Sequence, residues 1–173
     1  MFYFDDKLKK YEKEYSWDKS LIYLEKMWSN QKDSKIINSL VGFSWYYLIE
    51  GPIHSQKYDK DENNLSLEIW RKYLKIGFDS FNNNSNFCFI AGYTLLMDGF
   101  LIKEYSTYNH EVGLNLLQKA KNMCNKDLKK LCDVIIAIQM QKKYKPLRVS
   151  REVMERIFLN DCLLDKYLKE MYS

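Results

Sequence analysis

The sequence is poor in residues that interrupt helices and in those that perform most catalysis. Its 173 residues include 6 Gly and 2 Pro, which excludes collagen-like chains, linker-rich chains and β-sandwiches that need frequent turns. There are 2 His, and no G-x-S-x-G, H-E-x-x-H, Walker A or G-x-G-x-x-G pattern occurs. Ala appears only three times, whereas Lys, Tyr, Asn and Ile supply 63 residues, the bias of an AT-rich coding sequence. These absences argue against catalysis, and we predict that the protein is not an enzyme.

Long apolar runs are also missing. Polar residues interrupt every apolar stretch well short of a membrane span. The opening Met1-Phe2-Tyr3-Phe4 is followed at once by Asp5-Asp6-Lys7, which is not the pattern of a signal peptide. The length suits one domain of ordinary size. We therefore predict a single soluble domain, 1–173, located in the cytoplasm.

Metal-binding patterns are absent as well. The four Cys form no C-x-x-C, and His54 and His110 lie far from them, so no Cys/His cluster has zinc spacing. Each Cys stands among apolar residues, which predicts buried, reduced thiols. Asp59, Asp61 and Glu62 form a D-x-D-E cluster, but the glycine turn and distant Glu of a calcium loop are missing. The sequence predicts no metal and no cofactor.

Helical periodicity is what the chain has in abundance. Apolar residues follow a helical stripe over 17–31, with Ser16 as a candidate N-cap, and again over 128–140. Asn109 and Ser150 are candidate caps of two further helices. The stripe residues are Trp17, Leu21, Leu24, Trp28, Leu128, Leu131, Cys132, Ile135, Ile136 and Ile138. Alternating patterns are scarce, so the predicted fold class is all-α.

Three breaks divide these helices. Gly51-Pro52 predicts a sharp helix end, because proline cannot continue a helix. The polar residues 51–64 predict a long irregular segment, and Asn82-Asn83-Asn84 predicts a turn. Lys145-Pro146 marks the last break.

An internal repeat appears when the chain is shifted by 50 residues. Tyr23-Leu24 and Gly42 in residues 23–44 match Tyr73-Leu74 and Gly92 in residues 73–94, and a weaker third copy starts at 116. These residues resemble tetratricopeptide-like and Sel1-like helical hairpins. The resemblance implies stacked antiparallel hairpins with about seven or eight helices, in which the small residue lets the second helix pack close to the first. The predicted hairpins are 17–50, 66–103 and 109–143, followed by capping helices in 150–172.

The aromatic run Trp45, Tyr46 and Tyr47 allows two interpretations. Three successive helical positions point in different directions, so the rings either fill the core between hairpins or form a partner surface. In the second case Tyr58 joins the rings, and Glu50, Asp59, Asp61 and Glu62 form an acidic rim suited to a basic protein. Residues 1–68 hold 10 basic and 12 acidic side chains, which agrees with an acidic contact face.

The second half of the chain is basic. Residues 69–173 hold 17 basic and 11 acidic side chains. Five cations surround Tyr144. These cations either contact the phosphates of a nucleic acid or are simply the solvated charges of an interhelical loop. The five residues are Lys142, Lys143, Lys145, Arg148 and Arg151.

The helical, motif-free chain with an AT-rich composition resembles the immunity proteins of bacterial contact-dependent growth inhibition and related polymorphic toxin systems. The resemblance implies a non-enzymatic protein that binds a cognate toxin domain, often a nuclease, and blocks its active site or substrate groove. Neither a membrane nor a small-molecule substrate is expected. Two alternatives stay open, namely a helical-repeat adaptor that docks peptides and an RNA-binding protein that uses 142–151.

Overall fold

The fold is all-helical in the part of the chain that the structure, a computed structural model, describes. It describes residues 1–55, 60–102, 109–140, 148–160 and 162–173, and at 52–55, 60–63, 100 and 109 only the backbone. These ranges contain nine α-helices, one 3₁₀ turn at Gly99–Leu101 and no strand. The helices are α1 Asp6–Lys13, α2 Trp17–Asn30, α3 Ser34–Ser55, α4 Lys60–Ser80, α5 Ser85–Asp98, α6 Asn109–Met123, α7 Lys126–Gln139, α8 Arg151–Ile157 and α9 Leu163–Tyr172.

The chain divides into two units. The N-terminal unit comprises residues 2–81 and 162–164, and the C-terminal unit comprises 82–161 and 165–173 together with Met1. The net charge of +4 belongs to the C-terminal unit, because the N-terminal unit holds 13 basic and 13 acidic residues. The predicted hairpin 66–103 includes residues of both units, because the boundary falls between residues 81 and 82. The prediction of a single domain stays a prediction.

In the N-terminal unit, α3 packs between α2 and α4, and α1 packs on α2. The predicted stripe of α2 is confirmed, since Trp17, Leu21, Leu24 and Trp28 are all buried. Residues 36–47 of α3 are buried on every side, as expected for a helix with neighbours on two faces. Gly42 lies against Leu164 and Phe2, because an added Cβ would stand 2.8 Å from Leu164 Cδ2. Gly42 therefore makes room for these two side chains.

In the C-terminal unit, α5 packs on α6, α6 on α7 and α7 on α8. Gly92 and Gly113 let the backbones of α5 and α6 approach closely. The repeat predicts that Gly92 lets α5 pack closely against α4, the first helix of its own hairpin. In the structure, the helix that packs closely against Gly92 is instead α6. Five of the six stripe residues of α7 are buried, whereas Ile138, in the last turn at the edge of the stripe, is 48% exposed.

The helix end predicted at Gly51-Pro52 and the irregular segment predicted over 51–64 were wrong. Helix α3 continues through Gly51-Pro52 to Ser55, and α4 begins at Lys60, so most of 51–64 is helical. Pro52 removes one N–H donor, but only one further turn of helix follows it, so the loss is small. Asp61 and Glu62 stand in the first turn of α4, where acidic residues are favoured by the helix dipole.

Helix starts depend on caps that the periodicity missed. Asp5, Asn84 and Asn125 accept hydrogen bonds from the backbone N–H groups of Leu8, Phe87 and Leu128, at 2.9, 3.0 and 3.0 Å. The predicted caps Ser16 and Ser150 hold the N-cap positions without a side-chain hydrogen bond, and Asn109 is itself the first residue of α6. The turn predicted at Asn82–Asn84 is confirmed.

All four cysteines are free thiols, as predicted. Cys88, Cys132 and Cys162 are buried, whereas Cys124, in the turn between α6 and α7, is only half-buried.

Candidate partner-binding surface

The aromatic run expected at a partner surface lies in the interior. Trp45, Tyr46 and Tyr47 are 0%, 3% and 2% exposed. This agrees with the core interpretation, because a ring without exposed area has no contact surface to offer. The partner-surface interpretation is therefore corrected at these three positions.

Tyr47 belongs to a buried polar cluster. Its ring packs 4.3 Å from the ring of Trp17, and its hydroxyl lies 3.5 Å from Glu12 Oε1. Glu12 is itself buried, and its Oε2 accepts a hydrogen bond of 3.1 Å from the Leu163 N–H. Burial, followed by the negative charge of Glu12, raises the pKa of Tyr47 well above its ordinary value. The hydrogen bond between Leu163 and Glu12 connects residues 162–164 to α1 in the N-terminal unit.

The predicted acidic rim is visible only in part. Glu50 is half-buried near the end of α3. Tyr58 and Asp59 lie outside the described residues, as do the side chains of Asp61 and Glu62 in α4. The rim therefore stays a prediction.

A different aromatic surface is present on α1 and α2, centred on the carboxylate of Asp5. The hydroxyls of Tyr3 and Tyr23 both donate to Asp5 Oδ2, at 2.9 and 2.8 Å. Asp5 Oδ1 accepts from the backbone N–H of Leu8 at 2.9 Å. One carboxylate therefore caps α1 and fixes two tyrosine side chains.

Burial and the hydrogen bonds to Asp5 shift the pKa values of all three side chains. Burial acts to raise the pKa of Asp5, but hydrogen bonds from Leu8, Tyr23 and Tyr3 outweigh it and leave that pKa below its ordinary value. The hydrogen bond to Asp5, followed by burial, raises the pKa of Tyr23. Burial and then the bond to Asp5 raise the pKa of Tyr3. At neutral pH the cluster is one carboxylate with two phenol donors.

Two more side chains complete this surface. The Tyr11 ring meets the Tyr23 ring edge to face at 6.4 Å. The Lys7 Nζ lies 4.4 Å from the centroid of the Tyr23 ring, within cation–π distance. We call Tyr3, Asp5, Lys7, Tyr11 and Tyr23 the tyrosine surface. Its three tyrosines are half-buried, and two of them, Tyr3 and Tyr23, are fixed by hydrogen bonds to Asp5.

Exposed apolar side chains occur beside this surface in the chain. Ile22, next to Tyr23 in α2, is 56% exposed, and Tyr15, just after α1, is 48% exposed. These residues are not predicted from the sequence, because neither belongs to a run of consecutive aromatic residues. The available signal was Tyr11 on a short helix that follows a capping aspartate, Asp5.

The predicted basic run is divided between two depressions in the C-terminal unit. Arg148 lines one with Lys130 of α7, and Arg151 lines the other with Lys166 and Lys169 of α9. Arg151 pairs with Glu155 at 3.1 Å. Lys142, Lys143, Tyr144 and Lys145 lie outside the described residues. Each arginine of the run thus lies with lysines that are distant in sequence, and the two arginines line different depressions.

Over the ranges that the structure describes, no three His, Cys, Asp or Glu side chains are grouped to hold a metal ion. No helix in those ranges combines the length and apolarity needed to cross a bilayer. No protein-family model matches the chain, and no curated protein or solved structure is significantly similar to it.

Proposed function

We propose that the protein is a non-enzymatic binding protein that contacts a partner protein through the tyrosine surface. The observation that carries this proposal is the pair of hydrogen bonds from Tyr3 and Tyr23 to Asp5, which holds two half-buried but accessible rings in place. A tyrosine offers apolar contact area and a polar handle. When its conformation is already fixed, less entropy is lost on binding.

The partner is proposed to be a bacterial toxin domain, in accordance with the resemblance to immunity proteins of contact-dependent growth inhibition. Inhibition would be steric, with the bound protein covering the toxin's active site or substrate groove. The acidic residues Asp59, Asp61 and Glu62 are proposed to add an electrostatic component against a basic nuclease. Charge reversal at these three residues tests that component separately, because the tyrosine surface is left unchanged.

The experiment is affinity capture from the native cell lysate, followed by mass spectrometry and an inhibition assay on the captured partner. The wild-type protein is compared with a Lys7→Ala, Tyr11→Ala double variant, which changes two residues of the tyrosine surface. Leu159→Ala is the matched control, because Leu159 is 75% exposed and belongs to the C-terminal unit. We expect one stoichiometric partner with wild type and the control, and at least about tenfold weaker binding with the double variant.

Retention of the same partner by the folded double variant would refute the tyrosine surface as the contact face. Capture of many weak partners would instead favour a helical-repeat adaptor. Co-purification of RNA that is lost at high salt, without a protein partner, would favour RNA binding.

A further inference from the structure

The C-terminal unit has a groove that the tyrosine surface does not involve. It lies along α7 and the segment that leads into α8, and its volume is about 330 Å³. The lining residues are Lys130, Asp133, Val134, Arg148, Val149, Ser150 and Val153. This volume is at the lower end of the range for pockets that bind small ligands or single side chains.

The floor of this groove is apolar and fixed. Val134, Val149 and Val153 are all buried among the surrounding helices. The backbone N–H of Val149 donates to the Tyr172 carbonyl at 2.8 Å, which anchors the segment before α8. Ile138 stands one turn after Val134 on α7 and is 48% exposed. The apolar floor therefore continues into an exposed isoleucine on the same side of α7.

The rim of the groove is positively charged. Among the described lining residues the one carboxylate is Asp133, which pairs with Lys121 at 2.5 Å. Lys130 and Arg148 are exposed, and neither forms an ion pair within the described part of the chain. Two exposed cations that form no ion pair with a described residue thus stand beside three valines.

We propose that this groove binds an acidic amphipathic segment of a partner protein. Aliphatic side chains of the segment would pack mainly on Ile138, because Val134, Val149 and Val153 expose only 8%, 4% and 5% of their area. Its carboxylates would pair with Lys130 and Arg148. Charge-assisted bonds between arginine and carboxylate suit this arrangement. A single-stranded nucleic acid fits less well, because its bases bind by stacking on aromatic rings and none of the described lining residues is aromatic.

The proposal is independent of the proposed function. The groove and the tyrosine surface belong to different units and share no residue. Each can fail in its own experiment while the other stands.

The test uses the full chain and fluorescein-labelled helical peptides in which Glu and Leu occupy opposite faces. Matched peptides carry Gln for Glu or Ser for Leu, and binding is followed by fluorescence anisotropy. The groove variant is Lys130→Glu with Arg148→Glu. The control is Lys126→Glu with Lys129→Glu, which makes the same charge change at exposed positions of α7 outside the groove. Thermal unfolding checks that all variants are folded.

We expect the Glu/Leu peptide to bind wild type and to lose at least about tenfold in affinity with the groove variant, but no more than about twofold with the control. Ile138→Asn and the Ser peptide each weaken binding as well, because the apolar contact is lost. Failure of the Glu/Leu peptide to bind better than both matched peptides overturns the proposal. An equal loss with the control also overturns it, since it indicates long-range attraction alone. Binding of a single-stranded oligonucleotide, lost with the groove variant while no peptide binds, overturns it in favour of nucleic acid.

Discussion

The close approach of α5 and α6 in the C-terminal unit makes a quantitative prediction for Gly113→Ala. A Cβ built on Gly113 would stand 2.8 Å from the Leu96 nitrogen, 2.9 Å from the Gly92 carbonyl oxygen and 3.0 Å from Leu96 Cα. All three atoms are backbone atoms of α5, so no side chain can rotate to relieve the overlap. Because ordinary Cβ contacts begin near 3.4 Å, the two helices would have to separate by roughly 0.6 Å.

Two opposing effects determine the magnitude. Alanine is better than glycine inside a helix by about 1 kcal/mol, which acts to stabilise the variant. Overpacking that forces a backbone shift costs about 1–3 kcal/mol, and here the upper part of that range applies because only backbone is available to move. The net expectation is a loss of about 1–2 kcal/mol in the free energy of unfolding.

Urea unfolding of wild type and variant measures this difference. The control is Asn115→Ala on the exposed side of the same helix α6, where the propensity gain of about 0.5 kcal/mol has no steric opposition. We expect opposite signs for the two substitutions. If Gly113→Ala stabilised the protein as Asn115→Ala does, the close approach of α5 and α6 would be refuted.

Three further predictions concern the aromatic residues and their partners. Trp45→Ala should cost about 3–5 kcal/mol in denaturant unfolding, because Trp45 is completely buried; a mild effect confined to partner capture would contradict its place in the core. Asp5→Asn should flatten the acid limb of the stability profile: the lowered pKa of Asp5 contributes stability that is present above about pH 4 and lost as the pH falls through the folded value. An unchanged limb would refute the cluster. In ultraviolet titration of the folded protein, fewer than the 14 tyrosines should ionise near pH 10, and the free energy of unfolding should fall above that pH. The reason is that burial and hydrogen bonds raise the pKa values of Tyr3, Tyr23, Tyr47, Tyr73, Tyr93 and Tyr172. Ionisation of all 14 together would contradict that burial.

Local patterns predicted the helices well where one face of a helix is buried. The stripe of α2 repeats with the helical period, so Trp17 and Trp28 could be placed inside from spacing alone. The same method cannot orient α3, because apolar residues surround that helix and no direction is preferred. This is why Trp45, Tyr46 and Tyr47 admitted both a core and a surface interpretation.

Breaks and caps were less predictable. Pro52 has a strong local preference to end a helix, yet the single hydrogen bond it removes near the end of α3 is outweighed in the folded chain. Asp5 could have been recognised as an N-cap. Its role as the acceptor for Tyr23, 18 residues away, could not, because that pairing exists only when α1 packs on α2.

The amino-acid sequence by itself determined the all-α class, the approximate positions of eight helices and the free state of the cysteines. Each of these depends on spacing within a few turns of helix or on composition. Only the tertiary structure decided which aromatics are buried, which helix Gly92 admits, and which lysine lies beside Arg148. Those outcomes depend on contacts between residues far apart in the chain, and the period of a helix carries no information about which helix its face will meet.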